Sequence, residues 1–249
     1  MPELDPERLA IICVAFFIAG VVKGIVGQGL PSVVLAILTV TVGLKAALAL
    51  LLAPTFVTNV WQAVDGRALG MILRRTWTLL AAVFAGAWLG VGVLASTDAA
   101  LMSILMGLTL AAYGLTGLVR PVLPAPGRHE IWLAPVVGVV NGLLSGMTGS
   151  LAIPGVPYMQ ALGFDKNTLV QGMGLLFTVS TVAVAIAMSD HRLLSVELAL
   201  SSAAGIVPAL IGMWAGQQVR HRLSEETFKR TMFCTLIAIG AFIVWRAVG

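Results

Sequence analysis

The composition of this chain is that of a membrane protein. Of its 249 residues, 59% are hydrophobic and only 10% are charged, against about 25% charged in an ordinary soluble domain. This balance excludes a soluble globular fold. The formal charge of +4 comes from Lys and Arg residues scattered through short segments, so it indicates membrane orientation and not nucleic-acid binding.

Apolar segments recur from one end of the chain to the other. A helix that crosses a bilayer needs about 20 apolar residues. In chain order, we predict helical segments at 9–26, 30–42, 44–64, 76–95, 99–119, 131–146, 150–162, 167–188, 196–218 and 227–247. The segments 30–42 and 150–162 are only about 20 Å long as helices, so each is either a thin crossing or part of a re-entrant hairpin. The sequence therefore predicts an all-α membrane protein.

The two halves of the chain share short motifs in the same order. GVVKG at Gly20 to Gly24 recurs as GVVNG from Gly138, and GAWLG at Gly86 to Gly90 recurs as GMWAG from Gly212. Ordered matches of this kind indicate an internal duplication. We predict a first transmembrane repeat over 1–120, a cytoplasmic linker over 121–130 and a second transmembrane repeat over 131–249.

Loop charges predict that the two repeats have opposite orientations. Lys and Arg dominate in 65–75 and 219–230, whereas their counterparts in the other repeat, 189–197 and 96–98, lack that excess. Under the positive-inside rule, 65–75, the linker and 219–230 are cytoplasmic. Each repeat then crosses an odd number of times, which makes the repeats inverted, with both termini outside. Each repeat is predicted to hold a glycine-rich broken or short helix pair followed by three transmembrane helices.

Glycine and proline interrupt each repeat after its first helix, in GIVGQGLP (24–31) and in SGMTGSLAIPG (145–155). Backbone groups freed at membrane depth must find partners in protein or line a polar cavity. The half-helices that follow would begin inside the protein, and helix N-termini suit an anion. We expect the two breaks to meet near the midplane in one substrate site. Its candidate ligands at the breaks are Gly27, Gln28, Gly29, Thr148, Gly149 and Ser150.

The glycine pairs of the repeated motifs fit a different role. Each has small-xxx-small spacing, which lets helix backbones approach closely. For the four pairs we favour packing over ligand binding: Gly20 and Gly24, Gly86 and Gly90, Gly138 and Gly142, Gly212 and Gly216.

Four polar residues inside apolar segments are further candidate substrate ligands: Lys23, Asn59, Gln62 and Gln171. An intramembrane cation is a functional candidate, although Lys23 has the alternative of snorkelling to the cytoplasmic surface. Interhelical hydrogen bonding explains the other three as well as ligand binding does.

The sequence has no motif that indicates an enzyme. His129, His191 and His221 fall in predicted loops, and the chain has no HExxH, GxSxG, phosphate-binding Gly-Lys-Ser/Thr or CxxC pattern. We predict no catalytic residues, no metal site and no cofactor. All acids lie at segment ends or in loops, which leaves no place for an Asp/Glu proton relay.

The duplicated halves each open with an interrupted glycine-rich segment, GIVGQGLPSVVL and GLLSGMTGSLAIPGVP, and each ends in a Gly-Trp helix. In this they resemble the sulfite exporter TauE/SafE family of sulfite and sulfonate permeases, over essentially the whole chain. The resemblance implies a secondary transporter of a small anion, sulfite or an organosulfonate, in a bacterial inner membrane. Gln28, between Gly27 and Gly29, departs from the family's fuller glycine pattern. The alternative from another class is a membrane assembly or scaffold protein whose glycines only pack helices.

Overall fold

A computed structural model describes residues 6–119, 124–219 and 225–248, and these residues fold into helices without strands. The predicted linker 121–130 is therefore described only from residue 124, and the loop 219–230 lacks 220–224. A 3-10 turn, Gly127–His129, precedes α6. The helices are α1 (Pro6–Val26), α2 (Leu30–Val42), α3 (Leu44–Val64), α4 (Leu69–Ser96), α5 (Ala99–Val119), α6 (Glu130–Thr148), α7 (Gly155–Ala161), α8 (Lys166–Asp190), α9 (Val196–Ala204), α10 (Ile206–Val219) and α11 (Glu225–Val248).

Eight segments of the described chain are long and apolar enough to cross a membrane. One of them, Val196–Val219, consists of α9 and α10 together. The helices α2 and α7 are shorter, with 13 and 7 residues. The protein is an integral multi-pass membrane protein, as its composition predicts.

Two predicted segments, 76–95 and 196–218, differ in extent or continuity from the helices of the structure. The helix predicted from residue 76 begins at Leu69, so Arg74 and Arg75 belong to α4 and not to a loop. Arg is a good helix former, and Arg75 pairs with Glu130 of α6 at 2.9 Å. The segment predicted at 196–218 is two helices that meet at Gly205.

The apolar segment 150–162 is helical only from Gly155, which agrees with the interruption expected within 145–155. The helix α6 ends at Thr148, and the next residue, Gly149, is left-handed with φ 72°. The intervening residues are not helical, because Gly149 turns the chain and Pro154 cannot donate a backbone hydrogen bond to a helix.

The repeated glycine pairs lie where helices touch. A Cβ on Gly20 would overlap the backbone of Ala209, and one on Gly24 would overlap that of Met213, which fixes α1 against α10. The pair in α4 meets α6 in the same way, and the partner glycines Gly138, Gly142, Gly212 and Gly216 face backbone in return. The favoured packing role of these glycines agrees with the structure.

The glycine contacts also give helix directions. Positions increase together in α1 and α10, since Gly20 faces Ala209 and Gly24 faces Met213, so these helices are parallel. The same holds for α4 and α6. In contrast, α5 and α11 are antiparallel, because Gly107 lies against Gly240 whereas Gly114 lies against Phe233.

The helices α3 and α8 form the centre of the molecule and are also antiparallel. Gln62 near the end of α3 bonds to Val170 near the start of α8, whereas Thr55, earlier in α3, shares a cavity with Thr181, later in α8. The helix α3 also packs against α2 and α9. Most of the buried polar side chains lie on or beside this central pair.

Pro54 interrupts the hydrogen bonding of α3. Because proline has no N-H, the carbonyl of Leu50 has no partner within the helix. The Ser202 hydroxyl of α9 donates to that carbonyl at 2.7 Å and accepts from the Ala53 N-H at 2.9 Å. Ser202 thereby satisfies both groups and holds α9 to α3.

Candidate functional site

One face of α3 carries polar side chains at helical spacing. Thr55, Thr58 and Asn59 are at most 1% exposed, and Gln62 follows one turn later. Residues three and four apart share a helix face. A buried polar stripe therefore runs along α3 through the second half of the helix.

Lys23 of α1 contacts this stripe. Its ammonium donates to Thr58 Oγ1 at 3.1 Å and to Asn59 Oδ1, and its side chain is only 4% exposed. The snorkelling alternative is therefore wrong: α1 packs on its neighbours at this level, and the amine is directed into the protein. Thr58 in turn donates to the Pro54 carbonyl at 2.8 Å.

The partners of Lys23 are all neutral. Among the described side chains the one ion pair is that of Arg75 with Glu130, and no described carboxylate bonds to Lys23. The neighbouring Asn59 Nδ2 is buried and has no hydrogen-bond partner among the described residues. A positive charge and a free donor thus lie side by side, an arrangement that suits an anion and not a cation.

A small cavity lies one turn from Lys23 along α3. It has a volume of about 20 Å³, and its polar lining comes from Thr55, Ser145, Gly149 and Thr181. That is room for about one water molecule. The Thr55 hydroxyl has no partner among the described residues. Because Thr55 belongs to the α3 stripe and Gly149 to the second break, the cavity lies between the two.

Hydroxyl groups hold the second break in shape. Thr148 Oγ1 accepts from the Ser150 N-H at 3.2 Å and donates to the Leu144 carbonyl at 2.7 Å. Asn141 Oδ1 accepts from the Gly155 N-H at 2.9 Å, which positions the start of α7. The Ser150 hydroxyl is buried and has no partner among the described residues. Thr148 is therefore bonded within the break, whereas the Ser150 hydroxyl makes no bond to the described residues.

The first break, like the second, contains left-handed glycine, but it packs against different helices. Gly27 and Gly29 have φ of 84° and 101°, a left-handed region that other residues rarely adopt. Gln28 between them has a buried Oε1 with no partner among the described residues. Gly27 lies near Val170 of α8, and Gly29 near Met232 of α11.

The described contacts do not bring the two breaks together. Gly149 lies against Leu48, near the start of α3, whereas Gly27 lies against Val170, the residue that bonds to Gln62 near the end of α3. Leu48 and Gln62 are separated by about 20 Å along the helix axis. The contacts at Gly149 and Gly27 thus fall on different parts of α3 and α8, and a single site made by both breaks stays a prediction.

Gln62 and Gln171 join helices to each other. Gln62 Nε2 donates to the Val170 carbonyl at 2.8 Å, and Gln171 Nε2 donates to the Ala63 carbonyl at 2.9 Å. Gln171 Oε1 also accepts from the Ala68 N-H at 3.1 Å. Of the two roles left open for these residues, interhelical bonding is the one that the contacts support.

Three polar residues of this region, Thr55, Thr58 and Ser145, were not among the ligands predicted from the sequence. The signal for the first two was present, since they share the spacing of Asn59 and Gln62 on α3. A single hydroxyl in an apolar helix is usually bonded to its own backbone, which conceals any further role. Only the approach of Lys23 distinguishes Thr58 from such a residue.

The apolar spans define a multi-pass membrane protein, and buried polar groups inside such spans are typical of membrane transporters. A family model, sulfite exporter TauE/SafE, matches residues 12–243, and the chain belongs to this family. The family consists of membrane transporters and not of enzymes, and its name points to sulfur anions. The chain matches no curated protein and no solved structure. The resemblance seen in the sequence is thereby confirmed.

Proposed function

We propose that the protein is a secondary carrier for a small sulfur anion, sulfite or an organosulfonate. The anion binds beside Lys23 at the interface of two inverted repeats, 1–120 and 131–249. The linker 121–130 faces the cytoplasm, and both termini lie outside a bacterial inner membrane.

The observation that carries this proposal is the environment of Lys23. A buried ammonium without a counter-charge is costly, and neutral oxygens compensate for only part of the lost hydration. An anion next to Lys23 would remove that cost, with Asn59 Nδ2 as a second donor. Hydrogen bonds to a charged group are worth about 1.5 to 3 kcal/mol each, so two such donors would offset part of the anion's cost of leaving water.

Helix pairing supports the inverted repeats. The motif matches make α1 equivalent to α6 and α4 equivalent to α10, so the pair of α1 with α10 corresponds to the pair of α6 with α4. Both pairs are parallel and both use repeated glycines. Exchanging the repeats therefore leaves this packing unchanged, as a two-fold axis requires.

The direction of the equivalent helices supports inversion in particular. The helices α3 and α8 hold the same place in each repeat, as do α5 and α11, and both pairs are antiparallel. Repeats of the same orientation, related by an axis along the membrane normal, would make equivalent helices parallel. An axis in the membrane plane makes them antiparallel.

The remaining candidate ligands fall into two groups in this proposal. Gln28 and Ser150 have buried polar atoms without described partners, so they are available to the anion as it enters or leaves from either side. Rotation of the Gln28 amide would present Nε2 as a donor in place of Oε1. Gly27, Gly29, Thr148 and Gly149 shape the breaks, and Gln62 and Gln171 hold the central helices in register.

Flux into proteoliposomes tests the proposal. The purified full-length protein should give saturable uptake of radiolabelled sulfite or methanesulfonate. Lys23→Met should abolish uptake while the protein stays monodisperse, and the exposed Lys166→Arg serves as the control. A scaffold protein would give no saturable flux of either anion, and an uptake that survives Lys23→Met would place the anion elsewhere.

A further inference from the structure

Lys23 also bears on how transport is driven, provided that the anion binds there as proposed. Neither repeat offers a buried carboxylate among the described residues: the buried polar side chains are hydroxyls, amides and this one amine. Lysine can give up its proton within a protein, whereas arginine keeps its charge. Among the described buried groups in the centre of the molecule, Lys23 is thus the one cationic group that can release a proton.

None of the charged side chains that the structure describes is a fixed partner of Lys23. The helices α2 and α10 both pack against α1, and neither has an ionisable residue within its bounds. The helix α3 has Lys45 and, at its C-cap, the exposed Asp65, about 9 Å along the axis from Asn59. The ionisable residues of α11 are Arg230, Cys234 and Arg246, together with Glu225, Glu226 and Lys229, whose side chains lie outside the described residues.

A carrier must pass through its empty state as well as its loaded state. When the anion is bound, Lys23 and the anion neutralise each other. When the anion has left, a charged Lys23 would remain buried with only Thr58 and Asn59 as partners, at a cost of several kcal/mol. Release of the proton removes that cost.

We propose that Lys23 couples transport of the anion to transport of one proton in the same direction. The ammonium binds a monoanion, a sulfonate or hydrogen sulfite, on one side of the membrane, and the pair crosses as a neutral unit. After the anion leaves, the Lys23 N-H bond breaks and the proton follows the anion into solution, with the electron pair left on nitrogen. The neutral amine returns and takes a new proton together with the next anion, so atoms and charge balance over the cycle.

This mechanism separates two modes of flux. Exchange of labelled for unlabelled anion uses only the loaded carrier, so Lys23 keeps its proton throughout. Net flux needs the empty carrier to return, so Lys23 must lose its proton in every cycle. An arginine at this position keeps its charge, so it should impair the second mode much more than the first.

The experiment compares the parent, Lys23→Arg, Lys23→Met and the control Lys166→Arg in proteoliposomes, with sulfite and methanesulfonate as probes. For Lys23→Arg we expect the ratio of net flux to exchange to fall at least about tenfold below that of the parent, because arginine retains its charge. Lys23→Met should lose both modes. Net flux through Lys23→Arg equal to that of the parent, or a parent that exchanges but shows no net flux, would overturn proton coupling and leave anion transport intact.

An electrical measurement on the parent alone covers the case in which Lys23→Arg does not fold. Methanesulfonate keeps one negative charge across the usable pH range, so its net flux with one proton should carry no current. A pH gradient should then drive its accumulation when the membrane potential is clamped at zero. A current of one charge per anion, without accumulation on a pH gradient, would contradict the proposal, whereas absence of flux for both probes would contradict anion transport itself.

Discussion

Gln62 and Gln171 bond reciprocally across the crossing of α3 and α8. Each amide donates to a main-chain carbonyl of the other helix, Gln62 to Val170 and Gln171 to Ala63. Gln171 additionally accepts from the Ala68 N-H just before α4. The central helices are thus tied at one end by two side chains, one from each half of the chain.

This relationship predicts unequal losses of stability. Interhelical hydrogen bonds in membrane proteins average about 0.6 kcal/mol and reach about 1.7, so Gln62→Ala should lower the free energy of unfolding by about 0.6 kcal/mol. Gln171→Ala removes two bonds and should cost about twice as much. Unfolding in a denaturing detergent titration measures both. A larger loss for Gln62→Ala would mean that the Ala68 bond contributes nothing.

The close helix contacts predict a clear difference between two glycines. Gly142→Ala would drive a Cβ into the backbone of Val83, whereas Gly70→Ala meets no atom within 4 Å. Overpacking of a tight contact costs about 1 to 3 kcal/mol, but Gly70→Ala should stabilise α4 by up to about 1 kcal/mol through helix propensity. Thermal unfolding of the two variants, side by side, should show shifts of opposite sign.

The second break offers variants that separate structure from binding. Thr148→Val loses two bonds that shape the break and should lower stability. Ser150→Ala loses a hydroxyl with no described partner, so stability should hold while affinity for a verified substrate falls about 10- to 150-fold, the value of one bond to a charged group. Ligand-induced thermal shift measures both properties. Unchanged affinity in Ser150→Ala would remove this hydroxyl from the site.

The helical spans and the close glycine contacts could be predicted because both are local patterns: apolar length for the spans, and small-xxx-small spacing for the contacts. The left-handed Gly149 and the interruption after α6 were also visible as a cluster of Gly and Pro. The sequence did not show where each break lies along α3 and α8, because that position depends on tertiary packing. The bond from Lys23 to Asn59 joins residues 36 positions apart, and no sequence pattern specifies such a contact.

Membrane topology supplies the sharpest test of the inverted repeats. The ends of α3 and α8 are equivalent in the two repeats. Single cysteines at Arg74, near the start of α4, and at His191, just after α8, mark these two ends. Both residues are exposed. Inverted repeats place them on opposite sides of the membrane, whereas repeats of the same orientation place them on the same side.

The structure also predicts which single cysteines should lie on the same side of the membrane and so react alike with an impermeant reagent. A Cβ on Gly92 would lie 3.5 Å from His191 Nε2, so His191 is at the end of α4 that carries Ser96, and Lys166 at the start of α8 is at the opposite end. In a background without Cys13 and Cys234, an impermeant maleimide applied to intact cells should label Ser96→Cys and His191→Cys. Arg74→Cys and Lys166→Cys should react only after the membrane is permeabilised, because the positive-inside rule places the arginine-rich start of α4 in the cytoplasm. Labelling of Arg74→Cys together with His191→Cys in intact cells would rule out inversion, and with it the two-fold relation between the halves.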